Sequence, residues 1–286
     1  MNLFRVSVLF FSMLLLSYSA EAQRNIFGRR VHNHLTNSNS WRMHERTSLT
    51  ANIGLSTYYG DLCDKFSCMQ FRPNFGVGAL IRVAPHWHAR LDVNYFRLSS
   101  RDVWEKRNLG FRSGNLELFA AGQFDYYEYT KHFRKRKLLN PYGFMGLGVC
   151  FFYPRGQYDG KWYYLRKHQT EGVRYGQATV IIPVGIGVRI KFQRHLDFMA
   201  EAGYRFTFTD YLDDVSSKQF KPKDTFDDEV SAGLSNRSSH PNSHRWQRGN
   251  PDKNDGYFIF QVKARYTFIS NIAHFRAKHP KFLRKH

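Results

Sequence analysis

Asp255-Gly256-Tyr257-Phe258-Ile259-Phe260-Gln261-Val262-Lys263-Ala264-Arg265-Tyr266-Thr267-Phe268 decides the fold. Phe258, Phe260, Val262, Ala264, Tyr266 and Phe268 fall on one face of a strand with a two-residue period. Gln261, Lys263, Arg265 and Thr267 fall on the other. A run of this length matches the ~9–11 residues that a tilted strand needs to cross the hydrocarbon layer of a membrane. It has charges on one side and rings on the other, which suits lipid outside and a polar interior.

The same alternation recurs toward the N-terminus. Segment 196–208 sets Leu196, Phe198, Ala200, Ala202, Tyr204, Phe206 and Phe208 against Asp197, Glu201, Arg205 and Thr207. In 178–192, Val180, Ile182, Val184, Ile186, Val188, Ile190 and Phe192 point outward while Arg189 and Lys191 point inward. Segments 48–59, 71–83, 86–98, 113–126 and 140–152 fit the pattern, the last with Cys150 and Phe152 read as outward. Inward Gly76, Gly78, Gly185, Gly187 and Gly203 leave room for long charged side chains. Short connections at 84–86 and 193–195 alternate with long ones at 60–70, 99–112, 153–177 and 209–254. The connection 127–139 belongs to the short side but exceeds a tight turn. The expected fold is an all-β, eight-stranded antiparallel transmembrane barrel of the outer-membrane type, over 48–270, with both termini periplasmic.

The rest of the chain sets the compartment and limits the function. Met1–Arg5, the apolar run Val6–Leu16 and Ala20-Glu21-Ala22 read as a signal peptide cleaved after residue 22. Segment 23–47 is then a basic periplasmic N-terminal segment and 271–286 a basic periplasmic tail. No later run reaches the ~18 apolar residues of a membrane helix. A mean hydropathy of -0.55 beside 17% aromatic residues suits a barrel, in which only alternate side chains meet lipid. The net charge of +20 would suggest nucleic acid in a cytoplasmic protein. Export redirects it to periplasmic proteins, outer-membrane lipid and lipopolysaccharide phosphates, or acidic substrates, with no nucleic acid as partner. No Gly-x-Ser-x-Gly, His-Glu-x-x-His or phosphate-loop motif is present, and the chain is read as a non-enzyme without a cofactor.

Four groups of residues could carry function. Arg72, Arg82, Arg90, Asp92, Glu117, Arg189, Asp197, Glu201, Arg205, Lys263 and Arg265 face inward, and in a narrow barrel they are expected to pair into a plug. A pore or a catalytic carboxylate pair would use the same residue types. Cys63 and Cys68 share the first long loop and could form a disulfide. Asp210, Asp213 and Asp214 are either a hard-cation site or a solvated acidic stem, below a loop whose remainder, 216–254, reads as mobile. Three basic clusters share the expected periplasmic side: Arg24, Arg29, Arg30, Arg42 and Arg46; Lys131, Arg134, Lys135, Arg136 and Lys137; Arg276, Lys278, Lys281, Arg284 and Lys285. Together they form a candidate docking face for an acidic partner.

Three stretches carry a family resemblance: Gly54–Leu62 (GLSTYYGDL), Asn140–Gly148 (NPYGFMGLG) and Gly203–Ser216 (GYRFTFTDYLDDVS). Through them the chain resembles the PorG-like outer-membrane barrels of Bacteroidetes, the DUF6089 group, over roughly 48–270. The resemblance implies an outer-membrane component of the type IX protein secretion system, contacting a periplasmic ring built of a periplasmic protein and a lipoprotein. The alternative is a free-standing barrel acting as a structural protein, narrow channel or surface adhesin.

Overall fold

The structure, a computed structural model, describes residues 47–102, 107–128, 133–238 and 247–268. The expected signal peptide, the basic clusters around Arg24–Arg46 and Arg276–Lys285, Lys131 and the tail lie outside them.

Eight long strands close into a ring: β1 Thr47–Tyr59, β2 Arg72–Arg82, β3 Trp87–Arg101, β4 Gly110–Asp125, β5 Leu139–Tyr158, β7 Ala178–Lys191, β8 Leu196–Thr207 and β9 Gly256–Thr267. Each pairs antiparallel with its sequence neighbour, and β9 returns to β1 with Ile53 opposite Val262, so no long strand is left as an edge. A short strand, β6 Lys161–Tyr164, folds back on the loop end of β5. The hairpin between them turns at Asp159-Gly160, both at positive φ (46° and 72°), which favours Asn, Asp and glycine. Pairing of β5 with β7 skips Pro183, which has no N–H to give the ladder.

The outer wall carries the apolar faces. Ile53 is 71% exposed and Ile186 72%, and they belong to a continuous band with Val77, Val93, Leu118, Leu147 and Val262. Apolar patches of that extent mark a surface covered by something other than water. Trp87 and Phe124 pack edge to face (5.1 Å) at the turn end of the band, and Tyr95 packs on Phe75 toward its loop end. The wall is that of a transmembrane barrel.

Two expectations are corrected. In β5 the faces are reversed: Cys150 (0% exposed) and Phe152 (1%) point into the barrel, while Val149 and Phe151 point out. Both faces of that strand are apolar near the loop end, so polarity does not discriminate there. Packing does, since a Cβ on Gly146 or Gly148 would lie 2.2 and 2.4 Å from the backbone oxygens of Ala120 and Leu118. The second correction concerns the loop 209–254. Its described part folds into a cap containing a helix, α2 Glu229–Ser235, capped by the Asp228 side chain. A one-turn helix, α1 Leu165–His168, joins it from the neighbouring loop. Leu212, Val215, Phe220 and Leu234 drop from the long loop onto Phe96, Phe111, Phe152 and Ile259 of the barrel and complete an apolar cluster across its mouth. A few well-spaced apolar residues order a segment whose average composition is polar. Cys63 and Cys68 are joined by a disulfide (Cα–Cα 5.7 Å) within this cap.

Candidate functional site in the lumen and at the outer mouth

The inward side chains meet in layers across the lumen. In the central layer Arg90, on β3, donates from Nε to Asp92 at 2.6 Å. It donates from both Nη atoms to Glu201 on β8, at 2.9 and 3.2 Å. Lys263, on β9, donates to Asp92 at 2.7 Å and sits 3.2 Å from Glu201. The same Glu201 accepts from Tyr142 and Gln261, each at 2.8 Å. The Arg90 guanidinium lies 4.4 Å over the Phe144 ring. This fork-and-ring geometry belongs to arginine and would not transfer to lysine.

One layer toward the loops, Glu117 accepts from Arg205 (3.2 Å), Tyr257 (2.7 Å) and Asn94 (2.7 Å). Toward the turn end, Asp125 pairs with Arg189 at 2.9 Å and accepts from Gln123 at 2.7 Å. Arg265 donates to Ser48. In the two inner layers three cations, Arg90, Lys263 and Arg205, face three carboxylates, Asp92, Glu201 and Glu117. All six are buried. In a low-dielectric interior such groups hold their charge only in balanced, hydrogen-bonded sets.

Most of the inward set expected from sequence meets in these layers. Glu201 and Arg205 share a face but take different partners, Arg90 and Glu117. Arg72 stands at the rim, where it donates to Ser99 (2.6 Å) outside the network. Asp125 is a member that sequence reading missed, although the inward parity of Gln123 pointed to it.

At the mouth the acidic stem is buried rather than solvated. Asp213 and Asp255 approach the same Tyr58 hydroxyl, at 2.7 and 2.5 Å. One hydroxyl has one proton to donate, so the second contact requires a proton on a carboxyl. Asp214 accepts from Tyr175 at 2.5 Å and from Thr170, and its backbone oxygen accepts from Arg248 at 2.9 Å. Arg248 also pairs with Glu171. Burial, reinforced by Asp255, raises Asp210 to about 8. Burial raises Asp255 to about 8. It raises Asp213 as well, with Asp255 adding to the shift. Asp214 reaches about 6, where burial outweighs the opposing Arg248 charge. Among the described residues no group of His, Cys, Asp and Glu is arranged to hold a metal ion.

A family model described as a domain of unknown function, DUF6089, matches residues 47–277. The chain belongs to the DUF6089 family. No curated protein matches it. Among solved structures this DUF6089 barrel is similar to neisserial surface protein A, at 11% identity over 78% of this chain and 97% of that one, TM-score 0.40. It is similar to Ail, the attachment invasion locus protein of Yersinia pestis, at 10% identity over 78% and 99%, TM-score 0.40. OprG of Pseudomonas aeruginosa gives 11% over 80% and 99%, TM-score 0.39.

Proposed function

We propose that this DUF6089 barrel is a non-enzymatic, non-conducting outer-membrane scaffold whose working surfaces are its two rims. The observation that carries this reading is the lumen, crossed by three buried ion-paired layers and roofed by an apolar cap. A barrel of eight strands encloses little more than its own side chains, and here those side chains neutralise one another.

We further propose that the rim with short turns is periplasmic and docks the periplasmic ring of the type IX secretion system. Support comes from the family resemblance and from the turn carrying Arg134, Lys135 and Lys137, which are exposed. The folded cap on the opposite rim favours the second reading, a free-standing barrel that displays a surface platform. Mild solubilisation followed by pull-down through this chain across a salt series separates the two. An assembly component brings a lipoprotein and a periplasmic protein with it. Reversing Lys131, Arg134, Lys135, Arg136 and Lys137 to Glu then lowers their recovery, with salt acting in the same direction. Recovery of the barrel alone, at every salt concentration, contradicts the secretion role and leaves the platform.

A further inference from the structure

On the outer wall, β3, β4 and β5 run beyond the apolar band, and their register stacks three rows. Tyr95, Leu116 and Phe151 form the last apolar row; Arg97, Gly114 and Tyr153 the next; Ser99, Arg112, Arg155 and, on β6, Tyr164 the one above. Apart from Phe151, which adjoins it on β5, these residues line a groove of about 710 Å³. Among the described residues no carboxylate lines it. Arg112 and Arg155 stand directly opposite each other on adjacent strands, a like-charge pairing that costs stability unless an anion lies between. Each guanidinium carbon sits over a ring, that of Arg112 over Trp162 at 4.6 Å and that of Arg155 over Tyr164 at 4.2 Å, and Arg155 also donates from one Nη to the Tyr164 hydroxyl. A ring beneath a guanidinium restrains it, and its remaining N–H donors suit an acceptor with two adjacent oxygens such as phosphate.

We propose that this groove binds the phosphorylated head of a lipid A-type glycolipid in the outer leaflet. The arginines occupy the two rows directly beyond the apolar band, the depth at which lipid phosphates lie. The apolar row beneath them, with Leu116 and Phe151, receives the acyl chains. Gly114 carries no side chain to obstruct the middle row. The proposal rests on the reading of this chain as an outer-membrane barrel.

The test uses the full chain in nanodiscs, with bisphosphorylated lipid A, the same lipid stripped of phosphate, phosphatidylglycerol and inorganic pyrophosphate as probes. Wild type is expected to retain bisphosphorylated lipid A on the order of tenfold more tightly than the stripped form, the worth of one charge-assisted hydrogen bond. Arg112→Gln with Arg155→Gln abolishes that preference, whereas Arg194→Gln, at a turn of the opposite rim, keeps it. Heat-modifiable gel mobility verifies that each variant is folded. Equal retention of stripped lipid A overturns the proposal in favour of acyl contacts, and equal retention of phosphatidylglycerol overturns it in favour of general anionic attraction. Full displacement by pyrophosphate overturns it in favour of a free-phosphate site. Failure of the folded wild type to enter bilayers at all contradicts the membrane reading instead.

Discussion

Replacing Glu201 tests how dry the lumen is. Its carboxylate meets both Nη atoms of Arg90, the Tyr142 hydroxyl, the Gln261 amide and, at 3.2 Å, Lys263. In Glu201→Ala, Arg90 and Lys263 share Asp92 alone, and the central layer carries one uncompensated positive charge. Breaking a buried pair from one side costs about 3–5 kcal/mol. Glu201→Gln keeps the volume and part of the hydrogen bonding but loses the same charge, so most of that cost should remain. Adding Lys263→Met to Glu201→Gln restores a single Arg90–Asp92 pair and should recover at least ~1 kcal/mol, a coupling typical of residues in one network. The assay is urea unfolding of liposome-inserted protein, followed by heat-modifiable gel mobility and tryptophan fluorescence. If both single variants cost less than ~1 kcal/mol, as exposed ion pairs do, then water reaches the layer and the reasoning fails.

Three further outcomes follow from the geometry. The carboxyls of Asp210 and Asp255 near 8 and Asp214 near 6 lie above the ~3.9 of an unfolded chain, so the folded cap binds more protons and loses stability as pH rises from about 4 to about 8. Amide exchange of residues 210–217, corrected for intrinsic rates, should show more protection at pH 5 than at pH 8, and protection that grows with pH would contradict it. Gly187→Ala would place a Cβ 2.4 Å from the Tyr142 ring and should cost about 1–3 kcal/mol in the same urea assay by pushing Tyr142 off Glu201. Cys63→Ala with Cys68→Ala opens a loop of sequence separation 5 and should weaken the cap by about 2 kcal/mol on chain-entropy grounds. Loop proteolysis should therefore speed up while the gel mobility of the barrel stays unchanged.

What could be read beforehand followed the contrast between faces. In β7, β8 and β9 one face is apolar and the other charged, so parity alone places Lys263, Arg265, Glu201 and Arg205 inside. β5 defeats that logic because Phe152 and Phe151 are both aromatic, and the choice between them rests on packing, with Gly146 and Gly148 against the β4 backbone and Phe152 in the cluster at the mouth. The charge pairing was legible as a set but not as partners, since Arg90 and Glu201 meet across the lumen from strands 111 residues apart. The acids at the mouth were misread for the same reason. Tyr58 reaches Asp213 across 155 positions, and no local pattern signals that a short acidic run will be buried by a phenol. Likewise the cap is ordered by Leu212, Val215, Phe220 and Leu234, whose weight is lost in the polar average of the loop.

The proposal of a closed lumen is tested most directly by single-channel recording of the purified full chain in a planar bilayer, with wild type beside Glu201→Ala. Wild type should give no steady conductance, because paired layers at Asp125, Glu201 and Glu117 fill the section beneath the cap. Loss of Glu201 should at most add brief, small openings. A large and steady wild-type conductance, insensitive to the Glu201 substitution, would contradict the sealed scaffold and make the barrel a channel.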